Sequence, residues 1–150
     1  MPPRCQLLSK FAVLMTAVFL IFTAMHSARA DSLVVTVRDV RSNEGDIRIA
    51  LYSSAYNFLV DGRTAATQSL SARRGDVKVV FANLQPGIYA AAAFHDENRS
   101  GDFDTNFIGM PREGYGFSNG AQAVLGPPDF EEASVKLVRI TAETDLLLNY

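Results

Sequence analysis

Ile88-Tyr89-Ala90-Ala91-Ala92-Ala93-Phe94 reads either as about two turns of helix or as one strand, and the architecture of the whole chain turns on the choice. Four consecutive alanines favour helix by intrinsic propensity. The flanks argue the other way. Leu84-Gln85-Pro86-Gly87 is a turn immediately before the run, and His95-Asp96 begins a polar segment immediately after it, which leaves too little length for a helix. An unbroken apolar run of this size, bounded by turn residues, predicts a central strand covered on both faces. Gly87, following Pro86, is expected to hold the positive φ that such a turn needs.

The neighbouring segments agree with strand. Leu33–Val40 is rich in β-branched residues, and Ile47, Ile49 and Leu51 share one face with period two. Asn43-Glu44-Gly45-Asp46 between them predicts a hairpin. Val77–Phe81 alternates after the turn at Arg74-Gly75-Asp76, a weaker strand is expected at Ser69–Arg73, and Ala133–Ile140 and Thr144–Tyr150 close the chain. Ser54–Ala66 breaks the pattern, with Phe58 and Leu59 as plugs beneath a loop or short helical turn. Asp102–Asp129 has no periodicity, holds five glycines between Gly109 and Gly126, and carries Phe103, Phe107, Tyr115 and Phe117. A loop so aromatic is expected to be packed or functional. The fold expected is all-β: a single antiparallel two-sheet sandwich, immunoglobulin-like, of about seven strands with one long aromatic-rich loop.

The start of the chain belongs to a different physics. Arg4 and Lys10 precede an apolar stretch, Phe11–Ala24, and Ala28-Arg29-Ala30 is a small-x-small cleavage site. The stretch is short for a bilayer span of about 20 residues. Residues 1–30 are therefore read as a signal peptide and residues 31–150 as one mature domain starting at Asp31, periplasmic or secreted, with no membrane span after cleavage. Cys5 is the single cysteine and leaves with the signal, so no disulfide is expected. Of 14 basic residues Arg4, Lys10 and Arg29 also leave, so 11 face 16 acidic ones, a mature net charge of −5. That balance argues against a nucleic-acid partner and an anionic membrane face.

One segment carries chemistry. In Asp96-Glu97-Asn98-Arg99-Ser100-Gly101-Asp102-Phe103-Asp104 the oxygen donors Asp96, Asn98, Ser100, Asp102 and Asp104 fall at alternate positions, with Gly101 where a tight cation loop turns sharply. All are hard donors and no thiol is nearby, so Ca2+ is the cofactor to expect, bound weakly. Phe107 stands where such loops place their closing glutamate, and Glu113 or a backbone carbonyl is left to complete the shell. The competing reading is a polar turn in which the Asx side chains bond their own backbone.

Other motifs carry less. Gly116-Phe117-Ser118-Asn119-Gly120 matches a G-x-S-x-G nucleophile elbow, but that arrangement needs a strand-turn-helix context and a later histidine, and His95 comes earlier. His95 is expected to be a half-buried hydrogen-bonding residue rather than a base or ligand. Arg99 and Arg112 are expected to balance the acidic loop. Phe103, Phe107, Tyr115 and Phe117 offer a platform for a glycan or peptide, with core packing as their competing role. No enzymatic activity is expected.

Three blocks together resemble a known family: Asn83-Leu84-Gln85-Pro86-Gly87-Ile88-Tyr89, then Phe94-His95-Asp96-Glu97-Asn98, then Asp104-Thr105-Asn106-Phe107 with Gly114-Tyr115-Gly116-Phe117-Ser118-Asn119. In their order, and in Gly126-Pro127-Pro128 before Phe130, they are similar to the exported bacterial "domain of unknown function 2141" proteins over most of residues 33–150. The resemblance implies an exported β-sandwich and assigns no activity. The L-x-P-G-x-Y block also resembles prealbumin-like and carboxypeptidase-regulatory-like sandwiches.

Overall fold

The computed structural model of the chain describes residues 31–138 and 140–150. The expected signal segment over residues 1–30 and its Ala28-Arg29-Ala30 cleavage site lie outside the described residues. Strand β1 (Asp31–Val40) is followed by β2 (Asp46–Tyr52), β3 (Ala66–Ser71), β4 (Gly75–Leu84), β5 (Gly87–Asp96), the three-residue β6 (Tyr115–Phe117), one helical turn α1 (Phe130–Ala133), β7 (Ser134–Leu137) and β8 (Thr141–Leu147). A short 3-10 turn covers Ala55–Asn57.

Two sheets pack face to face. One has the order β4-β1-β8; the other runs β3-β2-β5, with β6 and β7 sharing the far edge of β5. Strict alternation along β1 turns Leu33, Val35 and Val37 inward, where they meet Ile47, Ile49 and Leu51 of β2 and Tyr89, Ala91 and Ala93 of β5. Each of the fully buried aliphatic side chains contributes roughly 1.5–3 kcal/mol by leaving water, and together they outweigh the local helix propensity of the alanine run. The expected all-β two-sheet sandwich is the architecture found.

Its details refine the expectation. There are eight strands among the described residues, because Tyr115–Phe117 pairs with Ala92–Phe94 inside what reads as loop. One pairing is parallel: β8 lies beside β1 with Ser32 opposite Thr141 and Arg38 opposite Leu147. The chain crosses from one sheet to the other between Leu137 and Thr141, so β8 enters at the end where β1 begins. Asp31, almost wholly buried, secures this crossing by accepting the Ile140 amide at 2.7 Å.

Strand β5 is covered on both faces, as its apolar run demands. On the outer face Ala90 packs with Tyr52, Phe117, Phe130 and Ala133, with Phe58 and Ala92 alongside. Small alanine side chains leave room for this aromatic second layer. Phe58 is thus a plug, whereas Leu59 turns out to solvent. The turn before β5 is built differently from expectation: Gly87 has ordinary φ, and the left-handed residue nearby is Asn83 at φ 61°, inside β4 where its register against β1 shifts. Asparagine tolerates that region through its short polar side chain.

Candidate functional site

The end of β5 delivers His95 to the inner face and Asp96 to the outer, and both are fully buried. His95 is spoken for. Its Nε2 lies 2.7 Å from the Glu44 carbonyl, which only an N–H satisfies, and its Nδ1 then accepts the Tyr150 hydroxyl at 2.8 Å. Tyr150 in turn accepts the Arg41 amide at 3.0 Å, and the Arg41 guanidinium lies 4.3 Å from its ring centroid. This is a hydrogen-bonding histidine, as expected from sequence, but fully rather than half buried.

Asp96 organises the loop that follows. One carboxylate oxygen accepts the Ser100 amide at 2.9 Å; the other accepts the Gly101 amide at 3.0 Å and Arg48 Nε at 2.6 Å. Burial alone would raise this carboxyl, but the Arg48 guanidinium and the two backbone amides outweigh it and hold it below its ordinary value. Arg99 at φ 57° and Gly101 at φ 92° curl the backbone around the carboxylate. The hairpin expected over residues 43–46 is not formed, because β1 and β2 belong to different sheets. The connection between them crosses from one sheet to the other and docks behind the loop, with Gly45 against the Asp96 carbonyl.

Arginines match the acidic residues nearest the sheet. Arg41 binds Glu97 through Nε at 2.9 Å and through Nη2, and holds that carboxyl low. Arg99 lies 3.6 Å from Asp46. So Arg99 balances a carboxylate of β2 rather than of the loop itself. Arg48 and Arg41 are the partners that sequence reading missed; Arg48 is a basic residue on an otherwise apolar strand, and Arg41 lies just past the end of β1 with no local signal of its partner.

Farther along the loop, Asn98 accepts the Ser100 amide at 2.9 Å and donates to an Asp104 carboxylate oxygen at 2.7 Å. The Ser100 hydroxyl is 3.0 Å from the Asp102 carbonyl, and the Asp102 side chain is exposed. Of the five expected ligands, Asn98 and Asp104 therefore meet directly, Asp96 anchors the turn from beneath, and Ser100 and Asp102 sit on the rim. As placed, no three His, Cys, Asp or Glu side chains among the described residues gather around one metal position.

Glu113 belongs to this site through the fold rather than through proximity in sequence. It is 5% exposed, and Oε2 accepts the Asp104 amide at 3.1 Å. Its other oxygen, Oε1, is buried without a hydrogen-bond partner. Burial pushes the Glu113 carboxyl up, and the Asp104 and Asp96 carboxylates push it the same way against the pull of backbone amides.

The remaining motifs are placed as follows. Ser118 is fully buried beside β5; its oxygen accepts the Ala91 amide at 2.7 Å and its hydroxyl lies 2.5 Å from the Ala133 carbonyl. It stitches β6 to β5 and to α1, and its neighbours do not include His95. Phe103 stacks edgewise on Phe94 and Tyr115, and Tyr115 on Phe117, which continues to Phe58 and Phe130. Phe107 is 98% exposed and stands apart on a loop tip, so the four aromatics do not form one platform. No described helix is long and apolar enough to cross a membrane.

Comparison with curated proteins and with solved structures produced no match. A family model described as an uncharacterized protein conserved in bacteria, DUF2141, matches residues 35–144 and so spans β1 to β8. The blocks that carry the resemblance are those that build the β4–β5 turn, the acidic loop and strand β6, and by that match the chain belongs to this bacterial family.

Proposed function

We propose that the mature chain is an exported, non-catalytic β-sandwich whose acidic loop binds a calcium ion. The ion would fix the loop and the aromatic segment after it, and the role of the protein is then structural or ligand-binding outside the cytoplasm. One observation carries the calcium reading. Asp96, Glu97 and Asp46 at this end of the sandwich each have an arginine partner, whereas Asp102, Asp104 and Glu113 have none among the described residues. Uncompensated carboxylates at Asp102 and Asp104, in the register of a hard-cation loop, with Glu113 bonded to the Asp104 amide, suit calcium, while magnesium, with its tighter octahedral shell, fits less well. Export is supported by the signal pattern over residues 1–30, and the exported protein is expected to have the intact mass of a chain starting at Asp31.

Thermal melting tests the metal. A loop without its closing glutamate is expected to bind calcium with a dissociation constant on the order of 10⁻⁴–10⁻³ M. At about 100 times that constant, binding to the native state alone adds about 2.7 kcal/mol, a rise in melting temperature of roughly 5–15 °C for a domain of this size. Asp102→Asn with Asp104→Asn is expected to remove the rise and leave the β circular dichroism unchanged. Identical melts in chelator and in calcium at about 100 times that constant would reduce the loop to a turn.

A further inference from the structure

The acidic loop stops short of closing on itself. Where an uninterrupted cation loop sets its last ligand, this chain has Phe107, and the Phe107 side chain projects into solvent. The reason is an excursion of the backbone. Residues 105–111 form a small hairpin: Thr105 bridges Pro111, the Asn106 amide bonds the Met110 carbonyl at 2.8 Å, and the Arg112 amide returns to the Asp104 carbonyl at 3.0 Å. Asn106 clamps the tip by accepting the Ile108 and Met110 amides, each at 3.0 Å. The excursion carries Phe107, Ile108 and Met110 outward and brings the chain back to the same place. The first residue after the return is Glu113.

We infer that Glu113 supplies the closing carboxylate of the calcium site, standing in for the residue that the hairpin displaces. The inference rests on the calcium reading of the acidic loop and names the ligand that reading lacks. Three features of the side chain point to an ion. Glu113 is 95% removed from solvent on a chain with ample surface for a glutamate. Its Oε2 accepts the Asp104 amide, so the carboxylate sits against the last oxygen donor of the loop. Its Oε1 has no hydrogen bond of normal geometry among the described residues, and the Glu97 amide only pulls on the carboxylate from nearby. Neutral burial does not account for this, because a protonated carboxyl would still leave a buried hydroxyl or carbonyl oxygen unsatisfied. An oxygen in that condition persists where it gains a partner for part of the molecule's life. The acids around it exclude another carboxylate as that partner, and no lysine or arginine reaches it among the described residues. Water or a small hard cation satisfies such an oxygen, and the Asp104 and Asp96 carboxylates beside it favour the cation.

On ion entry Asn98 and Asp104 exchange their mutual 2.7 Å hydrogen bond for contacts to calcium. Asp102 contributes its backbone carbonyl, as the residue after the loop glycine does in such loops. Asp96 stays where it is, shaping the loop from beneath. Glu113 is followed by Gly114, whose carbonyl accepts the His95 amide at 2.8 Å, and then by β6. The ion therefore joins the two ends of the 97–113 segment at the edge of β5.

Calcium titration calorimetry on the exported protein and on Glu113→Gln tests the inference, with each variant melted in chelator as well. Glu113→Gln is expected to weaken calcium binding by tenfold or more and to melt in chelator at or above the native temperature, since it removes an uncompensated buried charge. Glu113→Asp, which withdraws the carboxylate by one methylene, is expected to fall between the two. Should Glu113→Gln not fold, Glu113→Asp and the hydration number of bound terbium still decide: fewer protein ligands admit one or two more waters. Calcium binding by the native protein with equal affinity in the Glu113 variants would overturn the inference and leave the loop reading standing. No binding by the native protein would overturn both.

Discussion

Gly45→Ala is expected to destabilise the protein by about 3–5 kcal/mol, combining backbone strain with a steric clash that neither side can relieve. Gly45 sits at φ +71°, where a side chain costs about 1–2 kcal/mol by itself. An added Cβ would also fall on the carbonyl oxygen of Asp96, with the Glu97 Cα close behind. Both are backbone atoms of the segment held by Arg48 and Arg41, so they cannot swing aside as a side chain would. Gly62 provides the control: its φ is +70°, and a Cβ there would meet nothing within 4 Å. Gly62→Ala should show the conformational cost alone. The difference between the two midpoints in urea measures the docking of the β1–β2 turn onto the acidic loop. Equal midpoints would mean that the turn does not bear on the loop.

Asp96→Ala is expected to cost about 3–5 kcal/mol even in chelator, as removal of one partner of a buried ion pair does. The Ser100 and Gly101 amides lose their acceptor, and Arg48 Nε loses its 2.6 Å partner. Because the Arg48 side chain is 34% exposed, water recovers part of the guanidinium's loss, which sets the result toward the lower end. Asp96→Asn keeps one oxygen acceptor and should cost less. The sign of the pH dependence follows from the depressed Asp96 carboxyl. Its stabilising contribution is present above the ordinary carboxylate value and is lost only as pH falls through the lower native value. Denaturation across acid pH should therefore show the native protein losing this contribution while Asp96→Asn stays flat with respect to it. Loss of calcium binding in Asp96→Ala would not by itself identify a ligand, which is why the loop is tested through Asp102, Asp104 and Glu113.

Period-two patterning is local: each side chain's face depends only on its neighbours two residues away, so Leu33–Val40, Ile47–Tyr52 and Val77–Phe81 could be read as strands directly. The same holds for the alanine run, where Pro86-Gly87 on one side and His95-Asp96 on the other left room for a strand alone. The acidic loop was legible because its donors and Gly101 lie within nine residues. The family resemblance rested on blocks that stand next to one another in the chain. All of this depends on short-range order, which the amino-acid sequence by itself determined.

Tertiary structure decided whatever depended on partners far along the chain. Arg48 meets Asp96 across 48 residues and Arg41 meets Glu97 across 56, distances over which spacing in sequence carries no geometric information. The parallel placement of β8 beside β1 follows from the crossing at Leu137–Thr141, and β6 becomes a strand only because β5 offers it an edge. Gly87 keeps ordinary φ, and the left-handed residue of this region is Asn83, where the register of β4 against β1 shifts. Glu113 comes to lie beside Asp104 because the 105–111 hairpin closes between them, and burial then leaves Oε1 without a partner. Local pattern specified which residues are strand and which are oxygen donors; only long-range packing could decide which carboxylates meet an arginine and which, among the described residues, do not.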